Sequence, residues 1–389
     1  MTGPAYLDHA ASAPVRPEVR DAMLPLLGEL HGNPSSTHAA GRAARAALER
    51  ARREVASALE AEPAQVFFTS GGTEADNLAV LGAVLAASRR GRAPIAVVAA
   101  SEHKAVLASA QAALAFGGAE VVLPVDAAGA VDGTALQEAL AQRPAIVSVM
   151  WANNETGILT DLTPIIQACR EAGVPFHTDA VQAVRYCRTP ASAPAADLLT
   201  ISGHKLGAPK GIGALVVRSR ALLEPLLHGG AQQFALRPGT ENVPGAVGLG
   251  VAMRLAAAER AGEGARIGAL RDALERRLLA AVPDARVVGA DAARVPHLSA
   301  LVAPGTETSA LLMHLDRLGV AASGGSACTT GNPEPSHVLQ AMGVPRALAL
   351  GFVRFSLGRE STEADIAHAA AAYPDAVARA RRSEAALHA

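Results

Sequence analysis

An α/β fold with a mainly parallel sheet follows from three features of the sequence. Short β-branched runs alternate with longer Ala/Leu-rich segments of helical period, the runs are apolar on both faces, and turn residues separate them. Taken in order, strands are expected at Val66–Thr69, Ile95–Ala99, Val121–Val125, Ile146–Met150, Val174–Thr178, Leu198–Ser202 and Ile212–Val217. Helices are expected between them at Glu74–Ala87, Lys104–Phe116, Thr134–Ala141 and Pro164–Ala172. After about Gly250 the texture changes. A long helical segment, Val251–Ala281, leads to weaker strands around Arg286–Val288 and Leu298–Val302, then a helix near Ser309–Leu318. Strand Phe352–Leu357 and a helix from Thr362 close the chain, which suggests a smaller α+β domain. The expected division is a large domain over residues 15–258 and a small one over 1–14 and 259–389.

The chain has 389 residues, 35 Lys+Arg against 36 Asp+Glu, and half of its residues are hydrophobic. A sizeable core is available and disorder is not expected. With a net charge of −1 there is no basic excess to neutralise phosphates, so neither nucleic acid nor a membrane surface is an expected partner. Three cysteines cannot make a disulfide framework, and the N-terminus shows neither a basic n-region nor an apolar h-region. A cytoplasmic protein without a membrane span is expected.

Three segments carry chemistry. In Phe67-Phe68-Thr69-Ser70-Gly71-Gly72-Thr73-Glu74-Ala75-Asp76-Asn77, a buried strand runs into a Ser-Gly-Gly turn, and Thr73 with Asp76 has the spacing of a helix capping box. Such a turn before a helix N-terminus can hold an anion, although an ordinary strand–turn–helix connection reads the same way. In Phe176-His177-Thr178-Asp179-Ala180-Val181-Gln182, Asp179 falls just past a strand end, where it could hold a cationic ring nitrogen or serve as a helix N-cap. The third segment, Ser202-Gly203-His204-Lys205, sets a lysine at a strand end in a loop rich in Gly and Pro. A lysine whose pKa is lowered there can form a Schiff base with an aldehyde, while Ser202 and His204 donate to a phosphate. Lys210 is the competing lysine. Asp179, Lys205 and the Gly71–Thr73 turn together suit pyridoxal 5′-phosphate, which needs an acid, a lysine and an anion site. No metal is expected.

With these segments in place the sequence resembles the cysteine desulfurases of the NifS/IscS type, within the class V aminotransferase-like enzymes. The likeness also rests on Tyr6-Leu7-Asp8, Gly32-Asn33-Pro34-Ser35-Ser36, Ser101-Glu102-His103-Lys104 and Asn153-Asn154-Glu155-Thr156-Gly157. It continues through Arg237-Pro238-Gly239-Thr240-Glu241-Asn242, Ser323-Gly324-Gly325-Ser326-Ala327-Cys328, Pro335-Ser336-His337-Val338-Leu339 and Arg354-Phe355-Ser356-Leu357-Gly358-Arg359. The resemblance implies the fold type I of pyridoxal-phosphate transferases, with a mainly parallel seven-stranded sheet in the large domain.

It also implies roles. Lys205 would be the Schiff-base lysine, Asp179 the pyridinium partner, and Gln182 a hydrogen-bond partner of the ring hydroxyl. His103 would stack on the ring and shuttle protons. Gly72, Thr73, Ser202, Gly203 and His204 would hold the phosphate, joined by Thr240 from the other subunit of a homodimer. Asn154 and Arg354 would bind the substrate carboxylate. Cys328 would attack the sulfur of L-cysteine, leaving L-alanine and a persulfide for a sulfur-acceptor or iron–sulfur scaffold protein.

Two of these positions also have readings that need no family. Arg354 lies in an apolar strand, where burial calls for a carboxylate partner, and a structural Asp or Glu would serve as well as a substrate. Residues from Ala321 to Pro335 include no large apolar side chain, so Cys328 is expected in a mobile functional loop rather than a core. Cys169, on a helix, and Cys187 suit the buried role. The segment Gly229-Gly230-Ala231-Gln232-Gln233-Phe234 departs from the family, where an acid and an arginine usually stand at Gln233 and Phe234, and His9 stands where Asn is frequent. A class V aminotransferase or selenocysteine lyase, or a low-activity sulfur carrier that needs a partner, are the alternative readings.

Overall fold

The β-branched runs pair into one sheet in the order Val66–Thr69, Gly213–Val217, Leu198–Ser202, Phe176–Asp179, Ile146–Ser148, Ile95–Ala99, Ala119–Leu123. All run in one direction except Gly213–Val217, which is antiparallel to both of its neighbours. This is the mainly parallel seven-stranded sheet the sequence predicts. The computed structural model describes residues 4–188, 196–219, 222–325 and 334–387.

Strands apolar on both faces need cover on both. On one side Val97, Val147 and Phe176 pack against Ile165, Ile166 and Cys169 of helix Thr163–Ala172. On the other, Phe67, Val98 and Ile146 pack against Leu78 and Val84 of helix Gly72–Arg89. Cys169 is fully buried and Cys187 partly so, as expected.

Some boundaries differ from the sequence reading. The strand expected at Val121–Val125 is Ala119–Leu123, and the strand expected to end at Thr178 ends at Asp179. Asp179 is therefore the last residue of its strand rather than the first beyond it. The segment Lys104–Phe116 is an α-helix only to Ala112 and then tightens into a 3-10 turn. The long helix begins at Val243 instead of Val251, capped by the Asn242 side chain, which accepts the Gly245 N–H at 3.0 Å. Its glycine-rich start carries little helix propensity but is needed for packing. A Cβ on Gly250 would lie 3.0 Å from the Cα of Ala51, on the neighbouring helix Ala39–Ala58.

The smaller domain is built on the antiparallel strands Arg286–Val287, Leu298–Val302 and Phe352–Ser356. The N-terminal strand Ala5–Tyr6 pairs with Val320–Ala321, and Leu7 enters the same core as Leu301, Phe355 and Tyr373. The closing helix, Glu363–Leu387, starts from a reciprocal cap. Thr362 Oγ1 accepts the Asp365 N–H, and the Asp365 carboxylate accepts that of Thr362. Among the described residues no helix is long and apolar enough to cross a membrane.

Candidate active site

A cavity of about 640 Å³ opens where parallel strands end, the usual ligand position in open α/β sheets. Strand Leu198–Ser202 delivers Ser202 to its wall and runs straight into the 3-10 turn Gly203–Lys205. Lys205 Nζ donates to the backbone carbonyls of Ala10 and Ala11 at 2.5 and 2.7 Å, and among the described residues no carboxylate is bonded to it. Burial first, and then the Arg354 guanidinium, lower its pKa to about 8. The neutral amine is therefore much more accessible near neutral pH than that of an exposed lysine. Lys210 also borders the cavity but is exposed. Lys205 has the surroundings of a nucleophile.

Asp179 lines the cavity opposite, buried, with Oδ1 accepting the Val181 N–H at 2.8 Å. It thus fills the turn-capping role and the cavity role together. Burial raises its carboxyl pKa, while His103 and Lys205 pull it back down. Oxygen and nitrogen atoms of Asp76, His103 and Asp179 lie within 4.8 Å of one another. His103 is half-buried and caps helix Lys104–Ala112, its Nδ1 accepting the Ala105 N–H at 3.2 Å. A neutral ring therefore carries its proton on Nε2. Burial favours that neutral form.

Asp76 was not singled out as a cavity residue by sequence reasoning, and the capping box that paired it with Thr73 does not form. Gly71 is the N-cap of helix Gly72–Arg89 and has no side chain to cap it, while its carbonyl accepts the Thr69 hydroxyl at 2.9 Å. Glu74 takes over, accepting the Ser70 N–H at 2.8 Å and pairing with Arg237 at 2.7 Å. Asp76 faces inward, 1% exposed, with Oδ1 lacking a hydrogen bond. Burial and the neighbouring Asp179 push its carboxyl well above the usual range. His177, 3.7 Å away, supplies no cation, because burial pushes it down to about 3.

Gly72, Thr73 and His204 border the cavity near Ser202, so a helix N-terminus and two side chains are placed to receive an anion there. Gly203 does not. It is buried beneath the wall, its N–H is spent on the Ile212 carbonyl at 3.0 Å, and a Cβ would meet Ile212 Cγ2 at 2.8 Å. Gly203 shapes the turn rather than holding an anion. Thr240 is exposed and lies outside the cavity of its own chain.

Gln182, Asn154 and Arg354 complete the polar wall. Arg354 has the structural partner that sequence reasoning left open. Nη2 meets Asp8 at 2.9 Å and Nη1 donates to the Asn154 carbonyl at 2.7 Å. Among the described residues its buried Nε–H has no partner, nor has Asn154 Oδ1. Cys328 lies outside the described residues.

Residues 5–368 match the family "Aminotransferase class-V". The chain belongs to the class V aminotransferase family. It is 45% identical to a cysteine desulfurase of Gluconacetobacter diazotrophicus, across 97% of this chain and 94% of the relative. With an IscS-like cysteine desulfurase of Mycobacterium tuberculosis it shares 44% identity across 97% and 98%. A solved NifS-like protein superposes with a TM-score of 0.88 at 30% identity, across 96% of this chain and 99% of that one.

Enzymes of this family use pyridoxal 5′-phosphate, and this chain is such an enzyme. The cavity fits the group. Lys205 is the weakly basic amine an aldehyde requires, Asp179 is a buried acid for the ring nitrogen, and the opening of helix Gly72–Arg89 suits a phosphate.

Proposed function

We propose that this chain is a cysteine desulfurase that converts L-cysteine to L-alanine and carries the released sulfur as a persulfide on Cys328. One observation supports this reading above the others. The weakly basic Lys205, the buried acid Asp179 and the cation Arg354 line one cavity, in a chain 45% identical to a desulfurase over nearly its whole length. Cysteine and a thiol give alanine and a persulfide, so atoms and electrons balance without an outside oxidant.

The bound cofactor supplies an electron sink for the bonds at the substrate α-carbon. Lys205 would hold its aldehyde, Asp179 would pair with the ring nitrogen, Gln182 would donate to the ring hydroxyl, and His103 would lie against the ring. Gly72, Thr73, Ser202 and His204 would hold the phosphate, together with Thr240 of the partner subunit in a homodimer. Arg354 and Asn154 receive the substrate carboxylate, which orients the α-proton. Neutral Lys205 or His103 Nε2 then moves protons at that carbon. The Cys328 thiolate attacks the substrate Sγ, and the sulfur passes to an acceptor or iron–sulfur scaffold protein in the cytoplasm. The large domain is taken as residues 15–258, and the small one as 1–14 and 259–389.

Cys328→Ser tests the reading. The variant should bind the cofactor and keep its yellow colour, yet release essentially no alanine from cysteine, since a hydroxyl is a far poorer nucleophile toward sulfur than a thiolate. Mass spectrometry of the wild type after cysteine treatment should place one extra sulfur on Cys328. Alanine release at the wild-type rate by Cys328→Ser would overturn the proposal in favour of a lyase or aminotransferase.

A further inference from the structure

Gln182 is pinned at both ends of its amide. Nε2 donates to the Ala10 carbonyl at 3.1 Å, and Oε1 lies 3.2 Å from Nε2 of His297. Both side chains are more than nine-tenths buried, and Gln182 forms part of the cavity wall while His297 stands behind it, just ahead of strand Leu298–Val302 of the smaller domain. The imidazole is itself fixed, stacked on the Tyr186 ring at 4.7 Å and 29°.

An amide oxygen only accepts, so the proton of a neutral His297 must sit on Nε2. Its Nδ1 has no hydrogen-bond partner that would argue for the other tautomer. Burial, with the cations Arg185 and Arg354, holds the ring neutral. With Oε1 engaged by His297 and one N–H by Ala10, the group of the amide left over is its second N–H.

We propose that His297 is a positioning residue that locks the Gln182 amide so that it offers the cofactor ring oxygen an N–H donor and never its carbonyl. The inference rests on the reading that Gln182 meets the ring hydroxyl. Without His297 the Ala10 carbonyl alone fixes the amide, and each excursion that turns it over sets its carbonyl against an electron-rich oxygen. The Ala10 carbonyl also accepts from Lys205, so one backbone group ties the lysine and the amide together.

The test uses His297→Phe, which preserves the ring stack but removes the N–H, with His297→Leu as a second removal and His297→Gln as a rescue. Two readouts are independent of turnover: the dissociation constant of pyridoxal phosphate, and the pH midpoint of the bound cofactor's colour change. Loss of one ordered hydrogen bond should weaken cofactor binding about tenfold. The midpoint should move to higher pH, because a donor stabilises the ring oxygen once it gives up its shared proton. His297→Gln should restore most of both effects, and His297→Phe should add nothing in a Gln182→Leu background. If Gln182→Leu alone changes neither readout, the assignment of Gln182 to the ring hydroxyl fails. If Gln182→Leu changes both while His297→Phe and His297→Leu change neither, only the role of His297 is overturned. Failure of both His297 variants to fold would make the imidazole structural and equally overturn it.

Discussion

Arg354→Ala separates a substrate-binding arginine from a structural one, and the surroundings of Arg354 set the size of each effect. Arg354 is 4% exposed, held by Asp8 through Nη2 and by the Asn154 carbonyl through Nη1, with a buried Nε–H that has no partner among the described residues. A cysteine carboxylate reaching that cation gains a charge-assisted hydrogen bond and attraction only partly offset by Asp8. The net gain is about 2–4 kcal/mol, equivalent to a fall of roughly 30- to 1,000-fold in kcat/KM when it is lost. Stability should also fall, by about 1–3 kcal/mol, because Asp8 and the Asn154 carbonyl lose their partner.

Asp8→Asn is the control, since it keeps an oxygen acceptor for Nη2. It should cost about 1 kcal/mol or less and leave kcat/KM within about fivefold. The assay is steady-state alanine release at saturating cofactor, with thermal unfolding measured on the same preparations. A folded Arg354→Ala with kcat/KM within threefold of wild type would remove the residue from substrate binding. Equal kinetic losses in the two variants would show that the pair acts as one structural unit.

Two further outcomes are expected. Capture of pyridoxal phosphate by the cofactor-free enzyme needs the neutral amine, and lowering the Lys205 pKa to about 8 makes that form dominant above that value. The capture rate, followed by stopped-flow absorbance, should therefore rise about tenfold per pH unit below about 8 and level off above it; Lys205→Ala should stay colourless while Lys210→Ala colours normally, and a pH-independent rate would refute the reasoning. If Thr240 of the partner subunit completes the phosphate site, sedimentation should find a homodimer whose melting temperature rises with cofactor, and a fully active monomer would refute it.

The sheet was legible because its signal is redundant. Val97, Val98, Ile146 and Val147 are fully buried on alternating faces, and no other element tolerates such runs so short. The start of the long helix was hidden because Gly248 and Gly250 are there for close packing, and Gly245 for room beside the Asn242 cap, rather than for helix propensity. Asp76 was misread because a polar residue three places after a threonine near a helix start has a common surface role. Only the folded chain shows that this position points inward.

The departure at Gln233 and Phe234 proves internally consistent. Gln233 is buried, its Oε1 accepting from the Phe68 N–H and from Arg52, while Nε2 donates to Glu241 at 3.2 Å. A carboxylate at 233 would face Glu241 directly. Phe234 meets Phe67 edge-on, and the Arg52 guanidinium lies 5.3 Å from its ring centroid. An amide and an aromatic ring therefore satisfy the surroundings that an ion pair would otherwise fill.

What remained invisible in the sequence is the work of the backbone near the N-terminus. Asp8 holds Arg354, while the Ala10 and Ala11 carbonyls hold Lys205, and Ala10 also receives Gln182. No motif announces a carbonyl, since every residue type carries one. Yet the chemistry depends on Lys205 meeting carbonyls rather than an acid. Two neutral acceptors keep the ammonium hydrogen-bonded, and the attraction of the more distant Asp8 and Asp179 does not outweigh burial and Arg354, so the amine can be released near neutral pH. Had the chain set an aspartate where Ala10 or Ala11 stands, Lys205 would rest in a salt bridge. The same lysine, at the same strand end, would then be a poor nucleophile.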